Sequence, residues 1–376
     1  MNRREFIKTS GVIAAAVISG CRRGEIPSAG EKVSADIQTQ VVKFPRYRGF
    51  NFPVGFGKKG PQKRKFEEKD LEIMKGWGFD FARLPMSYWN WAEPDDWYKI
   101  DEDVLKEIDK VVRMCRQYKI HINLNLHRVP GYCINGRDQE PMDLYEDTPE
   151  KMQKALDAAV FHWKMFANRY KGIPSTELSF DLINEPPTLK DDTRHEKVVT
   201  ALVKGIREED PGRLIVADGK DVGRRPIMGI ADLGVVQSTR GYDPMSVSHW
   251  TATWVPEDSF ESSGEPTWPM KDKNGKVWDK STLKAKLIDT WKPLTEKGVP
   301  VHVGEWGCFN KTPHDVAIAW MKDLLSLWNE VGWGYAMWNL RGSFGVLDSE
   351  REDVQYEDFK GHKLDRKMLE LMKEQV

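Results

Sequence analysis

From about Val41 onward the chain alternates between two hydrophobic rhythms. Short apolar runs bounded by turn residues read as strands: RGFNF (48–52), FDFARLPM (79–86), HINLNLH (121–127), LSFDLINE (178–185), RLIVAD (213–218), MSVSHW (245–250), VPVHVGEWG (299–307) and GYAMWNL (334–340). Between them lie amphipathic stretches of helical period, among them DEDVLKEIDKVVRMCRQY, TPEKMQKALDAAVFHWKMFANRY and STLKAKLIDTWKPLTEKG. Strands alternating with helices in this way predict an α/β fold, a (β/α)8 TIM barrel. VVQST (235–239) is a further strand candidate, which leaves the fifth and sixth units open.

The third strand segment has two faces. Ile122, Leu124 and Leu126 share one parity, and His121, Asn123, Asn125 and His127 the other. A barrel strand turns its apolar face to the helices, so the polar set points into the barrel and must be hydrogen-bonded there. The longest stretch without a regular pattern, 251–280, carries Trp254, Trp268 and Trp278. It overhangs the C-terminal rim of the strands, where barrel enzymes hold their chemistry.

The first forty residues differ in kind. NRREFIKTS resembles a twin-arginine export signal, and the apolar run GVIAAAVISG is too short to stay as a membrane span. ISGC resembles a lipobox, with Cys21 as the acylated residue. The expected organisation is a signal peptide over 1–20, a polar tether over 21–40, and one barrel domain over 41–376. The expected location is the periplasm or outer cell surface, with membrane contact only through lipid on Cys21. The other cysteines, Cys115, Cys133 and Cys308, cannot all pair and fit no zinc spacing, so they read as packing residues.

Composition narrows the partners. Lys plus Arg (57) nearly balances Asp plus Glu (58), which gives no basic surplus for a nucleic acid. The 15 Trp suit a core and also suit the apolar faces of sugars. No clustered His pattern suggests a metal site, and neither metal nor cofactor is expected.

Two segments place a glutamate at a strand end: LINEPP with Glu185 and VGEWGC with Glu305. On the fourth and seventh strands both would rise from the same rim. Two carboxyl groups across a sugar-sized gap are the equipment of a glycoside hydrolase. NEP on the fourth strand with GEWG on the seventh resembles glycoside hydrolase family 5, the cellulase- and mannanase-like retaining barrel hydrolases. FARLPMSY (Arg83), NLHRVPGY (His127), SVSHW (His249) and AMWNL (Trp338) extend the resemblance in family order.

That resemblance implies roles. Glu185 would be the acid/base, Glu305 the nucleophile, and Asn184 the partner of the sugar hydroxyl beside the anomeric carbon. Arg83 would hold Glu305 ionised. His127 and His249 would bond sugar hydroxyls or orient the carboxylates, and Trp338 would lie under the sugar. The family places a Tyr two residues after its strand-six His. Here Thr251 stands there, after Trp250, and Tyr242 is the candidate to reach the site instead. Trp250 and Trp89 complete the expected substrate-binding set. The implied function is retaining hydrolysis of a β-linked polysaccharide or oligosaccharide, endo rather than exo, by a monomer. A barrel that kept sugar binding and lost catalysis is the alternative. A metal-dependent barrel hydrolase would need paired His on an early strand, and RGFNF has none.

Overall fold

The computed structural model describes residues 42–54, 66–93, 95–136 and 139–374. The expected signal peptide, lipobox and tether, Cys21 included, lie outside the described residues. Eight parallel strands follow in order: β1 (Arg48–Asn51), β2 (Phe81–Ser87), β3 (His121–Val129), β4 (Leu178–Asp181), β5 (Leu214–Asp218), β6 (Val236–Gly241), β7 (Val301–Trp306) and β8 (Gly334–Met337). Each pairs with its sequence neighbours, β1 also pairs with β8, and the barrel is closed.

The outer layer follows from amphipathic helices. These are α1 (Glu68–Trp77), α2 (Glu102–Gln117), α3 (Pro149–Arg169), α4 (Thr193–Glu209), α5 (His314–Val331) and α6 (Arg366–Lys373). In α2, Leu105, Ile108, Val111, Val112 and Cys115 are buried at helical spacing, and the Asp101 side chain caps the first turn through the Asp103 amide. In α3, Thr148 is the N-cap and Pro149 takes the first turn, where its missing N–H has no intrahelical use.

The sixth strand corrects the sequence expectation. Met245–Ser248 is a single helical turn, and the strand is the earlier segment around VVQST. Glu261 explains the turn: its carboxylate accepts from the Met245 and Ser246 amides, groups a strand would have paired in a ladder. VVQST is the weaker of the two candidates by pattern because the outward positions of β6 are polar yet buried. The Gln237 side chain exchanges two 2.8 Å hydrogen bonds with the Ile227 backbone, and Thr239 Oγ1 donates to Gly223 O.

STLKAKLIDTWKPLTEKG is also not one helix. It breaks into Lys280–Leu283, a wide turn over Lys284–Ile288, a tight turn over Asp289–Trp291, and Lys292–Thr295. Pro293 has no N–H for the Asp289 carbonyl and its ring crowds that group, so the ladder fails there.

The barrel axis is polar along β3, as its pattern predicts. Ile122, Leu124 and Leu126 are buried in the apolar core. On the other parity, Asn123 Nδ2 donates to Ser179 Oγ (2.9 Å), His121 Nε2 lies 2.7 Å from the same oxygen, and Asn125 Nδ2 donates to the Asp181 carbonyl. At the N-terminal ends of the strands an aromatic plug closes the axis. Tyr47 lies 4.4 Å from His121, Phe81 stacks on His121 at 5.5 Å, and Phe44 and Phe81 flank His302. Burial pulls the pKa of His121 to about 4 and of His302 to about 3, so both are neutral.

Candidate active site

At the opposite end, β4 runs into the turn Asn184–Glu185–Pro186–Pro187. Glu185 has φ +47, a left-handed conformation that costs an ordinary residue about 1–3 kcal/mol. It is held from both sides: its amide donates to Asp218 Oδ2 (2.9 Å), and its carbonyl accepts from the Tyr132 hydroxyl (2.6 Å). The strained turn lifts the carboxyl group out of the strand direction, and the side chain is 19% exposed.

Glu305 arrives by another device. β7 shifts register against β6 between Val303 and Glu305, so Glu305 pairs with Arg240. The residue at the shift is Gly304. A Cβ there would stand 2.4 Å from Ser238 Oγ and 2.9 Å from Arg240 Nη1. Glu305 is buried, and each of its oxygens accepts a bond: Oε1 from Arg83 Nη1 at 2.6 Å, Oε2 from the Tyr242 hydroxyl at 3.2 Å.

Two buried guanidiniums organise everything else. Arg83 also donates to Asp181 Oδ2 (2.7 Å), Asn51 Oδ1 (2.9 Å) and Asn184 Oδ1 (3.0 Å). Arg240 donates from Nε to Glu185 Oε1 (2.9 Å) and from Nη2 to Asn184 Oδ1 (2.9 Å), and it pairs with Asp218 through both Nη atoms. Its Nη2 is also 3.5 Å from Glu305 Oε1. One guanidinium therefore touches both glutamates.

Two cations face four carboxyl groups: Asp181, Asp218, Glu185 and Glu305. That imbalance favours keeping a proton in the cluster. Burial, and then the charge of Glu305, push Glu185 up to about 7 against the pull of Arg240. Burial likewise raises Asp181 to about 7. Burial works against ionisation of Asp218 too, but Arg240 and Arg83 outweigh it and its pKa is lowered. Tyr242, buried beside Glu305, keeps its proton.

Most residues expected at the site meet there. The Asn184 amide oxygen is clamped by both arginines, which turns Nδ2 outward; that buried donor has no protein partner. His127 stacks on Trp338 at 5.6 Å, with Nδ1 3.3 Å from Asn125 Oδ1 and 3.9 Å from Glu305 Oε1. Burial, then Arg83, lowers its pKa far below the usual histidine range, so the ring is neutral.

Tyr242 reaches Glu305 directly from the end of β6, two residues after Arg240. His249 does not sit at a strand end. It lies past the extra helical turn, edge-on to Tyr242 at 4.9 Å, with Nδ1 2.8 Å from Ser248 Oγ; burial brings its pKa to about 3. Trp250 lines a side pocket of about 660 Å³ with Thr251, Phe260 and Lys273. Trp89 is packed inside: its indole N–H donates to Glu140 Oε1 (2.9 Å) and Arg128 lies 5.2 Å over its ring.

In the loop over 251–280, Trp278 is buried and Trp268 is tied to Asp323, while Trp254 is 54% exposed beside His249 and Phe309. Sequence reasoning passed over Arg240 and Asp218. The spacing Arg240–Gly241–Tyr242, two residues from basic side chain to Tyr, was the available signal.

The chain is similar to known proteins along most of this fold. Residues 38–343 match the family model for cellulase (glycosyl hydrolase family 5). Endoglucanase C of Acetivibrio thermocellus is 26% identical over 313 residues, 77% of this chain and 88% of that protein. Cellodextrinase A of Ruminococcus flavefaciens is 25% identical, over 71% of this chain and 76% of its own. A crystal structure of a glycoside hydrolase is 41% identical with a TM-score of 0.82, covering 88% of this chain and 99% of its own.

Proposed function

The chain belongs to glycosyl hydrolase family 5, and from that premise we propose that Glu185 is its acid/base and Glu305 its nucleophile. It is a retaining O-glycosyl hydrolase of β-linked glycans that works by double displacement. The observation that carries the assignment is Arg240, whose one guanidinium touches both carboxylates. That arrangement favours the close spacing of retaining enzymes, about 5–5.5 Å, over the roughly 6.5–9.5 Å of inverting ones.

In the first step Glu185, protonated below about pH 7, gives its proton to the departing oxygen while Glu305 attacks the anomeric carbon. The ester that forms has no negative charge. The repulsion that helped raise Glu185 is then gone and its pKa falls, which suits it to take a proton from the incoming water. Asn184 Nδ2 is aimed to donate to the sugar hydroxyl beside the reacting carbon, and Trp338, backed by the neutral His127, is the platform beneath the ring. The likeness to Endoglucanase C of Acetivibrio thermocellus supports an endo-acting enzyme on a β-glucan, and exposed Trp254 offers a stacking surface further along the rim. The protein would act as a monomer.

The test replaces Glu185 with Gln, which keeps shape and removes the proton. Hydrolysis of cello-oligosaccharides should fall about 10²–10⁴-fold. The glycosylation step of an aryl cellobioside with an acidic phenol should suffer far less, and azide should restore its turnover. Equal losses on both substrates without azide rescue would remove the acid/base assignment.

The leader supports export and a lipid anchor at Cys21. Cys21→Ala should move the protein from the membrane fraction to the soluble one. A wild-type protein already soluble in its own cell would end that reading.

A further inference from the structure

We propose that Arg240 and Asp218 act as one charge-compensated pair that positions Glu185 and sets the pH at which it releases its proton. The catalytic meaning of this pair rests on the acid/base reading of Glu185; its electrostatic effect does not.

The pattern that this chain resembles has a His two residues before the Tyr of strand six. Here Tyr242 is preceded at that spacing by Arg240. The exchange is not conservative, because a guanidinium stays charged at any working pH. A cation 2.9 Å from a general acid would by itself hold that acid ionised, lowering its pKa by about 1–3 units. An enzyme that needs Glu185 protonated must cancel that field.

Asp218 is placed to do so. It is fully buried at the end of β5, and its two oxygens engage Nη1 and Nη2 of Arg240. Oδ2 also accepts the Glu185 amide, so the same carboxylate fixes the left-handed turn that presents the acid. The pair carries no net charge and leaves the Nε–H of Arg240 as an oriented donor to Glu185 Oε1. The remaining donors are committed to Ser238 Oγ, the Thr239 carbonyl and Asn184 Oδ1. Arg240 is thus a positioning residue and not a clamp for an anionic sugar. Gly304 belongs to the device, since a Cβ there would intrude on both Ser238 and Arg240.

Around Glu185, the charged and titratable groups are Glu305 from β7, Arg240 from β6, Asp218 from β5, Tyr242 beyond β6, and Tyr132 at its carbonyl. Arg83, Asp181 and His127 belong to the same cluster, and buried His195 lies behind Asp218. Glu305 and Asp218 raise Glu185 and Arg240 lowers it. The two members of the pair therefore act with opposite signs.

The experiment follows the side-chain carboxyl carbon of Glu185 by NMR in ¹³C-glutamate-labelled protein, assigned by its loss in Glu185→Gln. The pH dependence of kcat/KM on cellopentaose is measured alongside. Asp218→Asn should lower the Glu185 midpoint by about one pH unit or more, and Arg240→Gln should raise it by a similar amount. With both substitutions combined it should return close to the wild-type value, near 7.

Circular dichroism checks folding, and any one folded variant decides. A single variant that shifts in the other direction or not at all, or a double variant far from wild type, overturns the inference. Failure of all three to fold would make the pair structural and overturn it too. The alkaline limb of kcat/KM should follow the NMR midpoint. If the midpoint moves as stated and the limb stays put, the pair stands and the acid/base reading of Glu185 falls.

Discussion

The two ends of the barrel axis solve the same problem in opposite ways. Both are lined by polar side chains from the inward parity of the strands. At the N-terminal end His121 and His302 are stripped of charge by burial and packed between Phe44, Tyr47 and Phe81. At the C-terminal end Arg83 and Arg240 face four carboxyl groups and keep charge inside the protein. A buried ion network is a poor source of stability, because desolvation offsets most of the attraction. The plug therefore carries folding, and the charged end carries chemistry at some expense of folding.

Substitutions at the two ends should separate those roles. The largest effect is expected from Glu305→Gln: loss of more than about 10⁴-fold in kcat, as for other activated nucleophiles. Its thermal midpoint should hold or rise, because one buried carboxylate leaves an acid-rich cluster. A clear fall in that midpoint would mean that the charged end is structural after all.

Gly304→Ala comes next. The new Cβ must displace Ser238 or Arg240, and a displacement of about 1 Å in a positioning group costs roughly 10²-fold in kcat/KM. Activity within twofold of wild type would show that the close approach at Gly304 is incidental. The smallest effect on catalysis is expected at the other end. Phe81→Ala should destabilise the fold by about 3–5 kcal/mol in denaturant titrations. The kcat of the molecules that remain folded should be nearly unchanged, because distant sites are close to additive. A parallel loss of kcat would couple the two ends.

How much of this was legible in the sequence depends on how each element is satisfied. β3 and β7 announced themselves because their outward faces are apolar. The parity of HINLNLH foretold the hydrogen-bonded axis. Glu185 and Glu305 stood out because a carboxylate closes each apolar run. β6 did not, because Gln237 and Thr239 take polar partners from the helical layer in place of apolar ones. A window of residues cannot foresee that.

A sixth strand placed at MSVSHW puts His249 at the rim and hides Arg240, although Tyr242 lies only two residues after it. Trp89 is the converse: an aromatic near the rim whose indole is committed to Glu140 and whose face lies under Arg128. After β8, Asp348 and Asp353 cap backbone amides near the surface. One accepts from the Lys363 amide beside His362, the other from the His314 amide at the start of α5.

The arrangement around Gly304 also constrains the history of this site. Arginine at 240 is best compensated where an aspartate at 218 faces it with both oxygens, since a buried guanidinium short of carboxylate partners costs several kcal/mol. It is also favoured by a glycine at 304, since a Cβ there would crowd both Ser238 Oγ and its Nη1. An Asp218 and a Gly304 already in place would ease the arrival of Arg240. Retracing that route one substitution at a time has a cost at each step: losing Asp218 first leaves Arg240 only the two site glutamates as carboxylate partners, and losing Arg240 first leaves Asp218 with Arg83 at 4.0 Å and the Glu185 amide. The three positions on β5, β6 and β7, distant in sequence, are expected to be inherited as a block, and that linkage makes Arg240 a marker by which related chains can be sorted.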